Sequence, residues 1–277
     1  MIHILTDSTA DLSKEQRERL NIDVIPMYVQ VNGKMYRDGE DIDAHFLFDR
    51  VRETGKYPTT SAPSPGDFLD FFDRKGKSIY ISVSSMLSTT YRNAQLAIKE
   101  ISDREVELID SLSISTGYGQ VVFKAAEWRN AGMEFDELTR RVRQLIKRTR
   151  GIFILDTVDY LYHGGRCSAI DHFVSSLLHI HPFLNVRPDG TLGVLQKVHG
   201  SRLKAVEVLF HYFKRQLESS NIGQMIITQL DCDDEALFLE ERIKAINHQV
   251  KISTAKVGCV LATHSGPKPL GIAYSIE

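Results

Sequence analysis

Cysteine is scarce in this chain of 277 residues: Cys167, Cys232 and Cys259 are the three, widely spaced and without a C-x-x-C pair. That argues against a disulfide framework and leaves reduced thiols, as expected of a cytoplasmic protein. Long apolar runs are lacking as well. The longest, "GIFIL" and "VGCVLA", fall far short of a bilayer span, and Asp7 interrupts the opening "MIHILTDST" where a signal-peptide core would run. Neither sign of charge dominates, and a net −2 gives no global attraction to nucleic acid or to an anionic membrane. Three catalytic signatures are missing too. There is no G-x-x-x-x-G-K-S/T, no G-x-G-x-x-G after a strand and no G-x-S-x-G elbow, so neither a phosphate loop nor a hydrolase-type serine is expected. What remains is the composition of a soluble globular protein, 42% hydrophobic and 25% charged, long enough for two domains or one large one.

The first half alternates strand-like and helix-like pieces. "IHILT" reads as a strand, and Ser13 with Gln16 forms a capping box opening a short helix. "VIPMYVQVNG" reads as one strand with Pro26 near its edge or start, and "SIYISVS" as a half-buried strand alternating Ile79, Ile81 and Val83. A helix with Tyr91, Ala94, Ile98 and Ile101 at helical spacing follows, then the strand "VELID" and a helix closed by Gly132. Such alternation implies βαβ units and a largely parallel sheet. In the second half, Leu138, Val142 and Leu145 give one helix an apolar face, and Leu203, Val206, Phe210, Phe213 and Leu217 give another. "GQMIITQL" and "KISTAKVG" are strand-like, with a helix between them. The expectation is two α/β domains, 1–150 and 151–277, the first with a largely parallel sheet.

Hydroxyl groups cluster twice. In "YPTTSAPSPGDF" the pattern Ser64–Pro65–Asp67 is a helix start, with Ser64 as cap and Pro65 at the first helical position. Capping makes no use of Thr60 or Ser61, whose backbone Pro58 and Pro63 restrict. In "SVSSMLSTTYRNA", Ser88 falls where a strand's carboxyl end passes into a helix, the usual binding edge of an open α/β sheet. Free N–H groups and the helix dipole favour an anion there, although Ser88 could equally be a helix cap. "YLYHGGRCS" sets Arg166 behind a glycine pair, and "ATHSGPKPLG" sets His264 among turn-forming residues; each could also be a surface or capping residue. "HIHP" at 179–182 has no carboxylate or cysteine at metal-ligand spacing, so no metal is expected. Asp7, Asp110 and Asp156 read as strand-end residues satisfying turn backbone.

In order along the chain stand "TDSTADL", "TSAPSPGDF", "SSMLSTTYRNA", "DSLSISTGYG", "YLYHGGRCS", "HPFLNVRPDG" and "THSGPKPLGIAY". Over essentially its full length the chain resembles the DegV family of bacterial fatty-acid-binding proteins. The resemblance implies two α/β domains, residues 151–277 covering a lipid held between or beneath them, and no catalytic residue or cofactor beyond the bound long-chain fatty acid. It also implies a partner, a separate fatty acid kinase that phosphorylates the carboxylate. Carried over by motif, the carboxylate-binding threonine and serine fall on Thr60 and Ser88, and the family's arginine and histidine on Arg166 and His264, in a second layer or facing the partner. The chain departs from the common pattern at four positions. Thr89 replaces a glycine beside the head group, His199 an arginine often facing the kinase, Lys268 a glycine and His181 a lysine. Two other readings of the same cleft stay open: an enzyme of phosphoryl or acyl transfer, and a carrier of a different amphiphile.

Overall fold

Helices on both faces of one sheet and on one face of another organise the protein, whose computed structural model describes residues 1–102, 104–166 and 180–276. In chain order the elements are β1 (Ile2–Asp7), α1 (Lys14–Leu20), β2 (Ile22–Ile25), β3 (Tyr28–Val31), β4 (Lys34–Arg37), α2 (Ala44–Thr54), β5 (Thr59–Ser61), α3 (Pro65–Phe72), β6 (Lys77–Ser82), α4 (Thr90–Lys99), β7 (Glu105–Asp110), α5 (Thr116–Asn130) and α6 (Phe135–Arg148). Then follow β8 (Thr149–Ile154), α7 (Asp159–His163), β9 (Ile180–Val186), β10 (Leu192–His199), α8 (Arg202–Ser219), β11 (Gln224–Gln229), α9 (Asp233–Ile246), β12 (Lys251–Lys256), α10 (Cys259–Ser265) and β13 (Leu270–Ser275).

The first sheet runs β2-β1-β6-β7, every pair parallel, as the alternation predicts. Its strands are buried on both faces. Ile4 packs with Tyr118, Val122 and Leu138 from α5 and α6, while Leu5 packs with Phe68, Phe72 and Ala94 from α3 and α4. Ile79, Tyr80 and Ile81 are therefore all at 0% exposure, where a half-buried strand was expected. The alternation in "SIYISVS" separates two covered faces, because crossover helices sit on both sides of a parallel sheet.

"VIPMYVQVNG" is two strands, not one. β2 belongs to the parallel sheet and β3 to a small antiparallel sheet, β4-β3-β5. Pro26, with no N–H to give to a ladder, lies at the break. The small sheet, α2 and α10 close a third core around Met27, Val29, Leu47, Phe48, Val260 and Leu261.

The second large sheet runs β10-β9-β8-β13-β11-β12, antiparallel except for β11–β12. α8 and α9 bury Val206, Phe210, Phe213 and Leu239 against Ile152, Ile227 and Ile272 on one face. Leu203, expected on that stripe, is 58% exposed. The first turn of α8 is fixed instead by Arg202, whose guanidinium donates to the Lys268 carbonyl at 2.6 Å. The other face of this sheet turns toward the first half, and α5 packs on both β1 and β8. Among the described residues, no helix is long and apolar enough to cross a membrane.

Candidate functional site

Thr60 lies in β5, not in a loop. It pairs with Val29 of β3, with Thr59 and Ser61 exposed and Thr60 half-buried, so the strand turns its one inward side chain to the interior. Pro58 and Pro63 are buried on either side. Ser64 and Asp67 then make the capping box that opens α3, leaving Thr60 outside it. His264 is likewise in regular structure, the last turn of α10, and its Nε2 stands 2.8 Å from Thr60 Oγ1.

Ser88 is one residue outside the α4 cap, which is Thr89. A turn tightened by Leu87 and Ser88 N–H groups donating to the Ser84 carbonyl delivers it there. Its Oγ accepts from Thr90 N–H at 3.2 Å and shares a hydrogen bond with Thr90 Oγ1 at 2.7 Å. Asn93 of α4 donates to the Pro63 carbonyl at 2.8 Å and so ties the two hydroxyl stretches together. Arg166 reaches the same place: Nε donates to the Leu87 carbonyl at 3.2 Å and a terminal nitrogen to Gly164 at 2.8 Å.

Thr60, Ser88, Arg166 and His264 thus surround one space of about 450 Å³, its mouth included, whose other walls come from Thr9, Met27, Val83 and Leu87. Five of its lining residues, Ile114, Leu161, Leu192, Leu261 and His264, also line a second, almost wholly apolar space of about 670 Å³ between α5 and the sheet of β8 and β13. Burial, with Arg166 nearby, pushes the His264 imidazole down to about 4, so it is neutral at physiological pH. Its Nδ1 has no hydrogen-bond partner and rests against Gly164. Burial also lowers the Arg166 guanidinium.

His199 is exposed at the end of β10 and lines neither space. Thr89 is exposed too and is not among the residues lining the space around Thr60 and Ser88, beside which it was expected. His181 is buried, 3.4 Å from the Leu155 carbonyl and 3.6 Å from Asp156; among the described residues no group of His, Cys, Asp or Glu could hold a metal ion. His179 and Cys167 lie outside the described residues. Asp110 satisfies turn backbone as expected, accepting from Ser85 and Leu112 N–H. Asp156 instead faces the side chains of His181 and Arg202, at 3.6 and 3.7 Å.

Asp7 is more than a strand end. Fully buried, it accepts from the N–H groups of Thr9 and Val83 and from the hydroxyls of Thr9 and Tyr118. Sequence reasoning missed Thr9, which this hub holds at the wall of the space around Thr60 and Ser88, although "TDSTADL" was the available signal.

The family model described as "Uncharacterised protein, DegV family" matches residues 1–277. The chain belongs to the DegV family. A DegV domain-containing protein of Caldanaerobacter subterraneus subsp. tengcongensis is 33% identical over 99% of this chain and 98% of its own. Among solved structures, a DegV family protein from Thermus thermophilus described by its fatty acid binding superposes with a TM-score of 0.90 at 30% identity, covering 99% of each chain. DegV of Bacillus subtilis, a fatty acid binding protein, superposes at 0.87 and 26% identity over 100% of this chain and 99% of that one. Against this family background, Lys268 holds a backbone φ of +53°, the left-handed region where a glycine is at home.

Proposed function

We propose that this DegV protein binds one long-chain fatty acid, its carboxylate held by Thr60 and Ser88 and its tail laid in the apolar space, and presents the head group to a separate fatty acid kinase. One observation carries the reading: the space ringed by Thr60, Ser88, Arg166 and His264 adjoins the apolar one, with five lining residues in common. For Thr60 to donate to an anion, His264 must donate to Thr60 from Nε2, which suits a neutral imidazole with a bare Nδ1. For Ser88 to donate, Thr90 must in turn donate to Ser88, across the 2.7 Å bond the two already share. Arg166 gives two of its five N–H donors to the Leu87 and Gly164 carbonyls and acts by positioning the Ser88 turn and the glycine pair. A hydrogen bond to a charged acceptor contributes about 1.5–3 kcal/mol. Tail burial adds about 0.8 kcal/mol per methylene, on the order of 10 kcal/mol gross for a long chain. The tail dominates affinity and the hydroxyls fix orientation. Held by neutral donors, the carboxylate keeps the electron density a phosphoryl acceptor needs.

Among the described residues, no Asp or Glu lines the head-group space, and the imidazole there is a weak base, which favours binding over catalysis. The kinase partner rests on the family resemblance, and two free, buried thiols suit a reducing cytoplasm.

Solvent extraction and mass spectrometry of the purified protein should yield a stoichiometric fatty acid; a different lipid would make it another kind of carrier. The double variant Thr60→Ala, Ser88→Ala should keep the fold and lose about a hundredfold or more in affinity. Undiminished affinity would remove the head-group site. Phosphorylation of the bound acid on adding a fatty acid kinase and ATP tests the partner.

A further inference from the structure

Three glycines line the apolar space: Gly117 on α5, Gly151 on β8 and Gly271 on β13. Close approach explains two. A methyl at Gly117 would stand 2.5 Å from Ser113 Oγ, and one at Gly271 would stand 3.0 Å from both the Ile152 carbonyl oxygen and Phe153 Cβ. Gly151 has no such reason. A methyl there meets no heavy atom within 4 Å, and its backbone is ordinary strand. Glycine inside a strand weakens it, having more freedom to lose and no side chain to pack.

The reason lies across the ladder. Gly151 pairs with Ala273 and Phe153 with Gly271, while Ile152 and Ile154 point to the opposite face, into the core under α8 and α9. The face turned to the cavity therefore carries, side by side, a hydrogen and a methyl. The result is a hollow in the wall. Gly151 and Ala273 line only the apolar space; Thr60, Ser88 and Arg166 line only the head-group space. The hollow belongs to the tail end.

We infer that Gly151, opposite Ala273, sets the length of acyl chain this protein accepts by making room for its terminal carbons. This inference rests on the reading of the apolar space as the bed of a fatty-acid tail. Leucine at 151 suits a strand, starts from a Cβ that strikes nothing, and fills the hollow with four carbons.

The test uses the full chain, stripped of lipid and titrated with lauric, myristic, palmitic and stearic acids. Each methylene denied burial costs about fourfold in affinity, from about 0.8 kcal/mol per CH₂. Gly151→Leu should lose stearic-acid affinity on the order of a hundredfold while keeping lauric acid, so that preference moves to shorter chains. Gly151→Ala, the safer variant for folding, should reduce the stearic-to-lauric affinity ratio about fourfold. If Gly151→Leu does not fold, that ratio decides. A wild-type profile in whichever folded variant is read overturns the inference. A wild-type protein that binds none of the four acids overturns instead the fatty-acid reading itself.

Discussion

His264 touches Thr60 with one ring nitrogen and Gly164 with the other, and the second contact sets the first. A methyl added to Gly164 would lie 2.2 Å from His264 Nδ1 and 2.9 Å from Cε1, closer than atoms can approach. The imidazole must then turn or retreat from the 2.8 Å contact with Thr60. Gly164→Ala should therefore weaken fatty-acid affinity about tenfold, the worth of one hydrogen bond to a charged group, with little loss of melting temperature. Titration calorimetry beside a thermal melt separates the two, and equal losses in both would make Gly164 a packing residue only. The first glycine of "YLYHGGRCS" is thus small because of a side chain one hundred positions away.

That pairing shows which part of the protein its sequence discloses. Capping is local chemistry: Ser13 with Gln16 and Ser64 with Asp67 form the boxes that their spacing predicts. The parallel sheet follows from the alternation of strands and helices. Pro26 was read as an edge or early position in one strand, and nothing local said that the chain on either side joins different sheets, since strand partners are chosen by packing far along the chain. Thr60 and His264 were reached as separate motifs, and no spacing rule joins residues 204 apart. Thr9 stood inside a quoted motif without a role of its own, and Thr90 matters only through its hydrogen bonds to Ser88, which folding alone brings about.

At the scale of elements, α10 is held at its N-terminus by two carboxylates. Asp11 accepts from Gly258 N–H at 2.9 Å and from Ser115 Oγ at 2.5 Å; Asp38 accepts from Cys259 N–H and from Ser8 Oγ, both at 2.8 Å. Burial, helped by Asp38 and Asp7, raises the Asp11 carboxyl from 3.8 to about 8 against the pull of its donors. Burial raises Asp38 as well. An acid whose pKa is higher folded than unfolded binds its proton more tightly in the native state. Stability is then full below 3.8 and falls as pH rises from there through about 8. Asp11→Asn keeps an acceptor for Gly258 and removes the titration. Its unfolding free energy from urea titration should exceed that of wild type at pH 8–9 by more than about 1 kcal/mol, with the gap closing toward pH 5. A gap independent of pH would assign the effect to packing.

At the scale of the molecule, the cavity lies where two layers meet, with α5 packed on both β1 and β8. On the proposed reading, a lipid there would complete an interior that the side chains leave incompletely filled. Stripping it should lower the thermal midpoint. Adding fatty acid at a hundred times its dissociation constant should restore about 2.7 kcal/mol, by mass action on the native state. Scanning calorimetry before and after extraction reads this directly, and a midpoint indifferent to lipid would argue that the space stays empty in solution.

β13 sits between β8 and β11, although it is formed from residues 270–275. During synthesis the two flanks of that sheet stay unjoined until those residues leave the ribosome, and His264 cannot meet Thr60 much earlier. A nascent chain can complete its parallel sheet long before it owns a place for cargo. Ribosome-bound intermediates stalled short of residue 270 should be partly folded and unable to retain a lipid, which would couple the first loading of the protein to the emergence of β13.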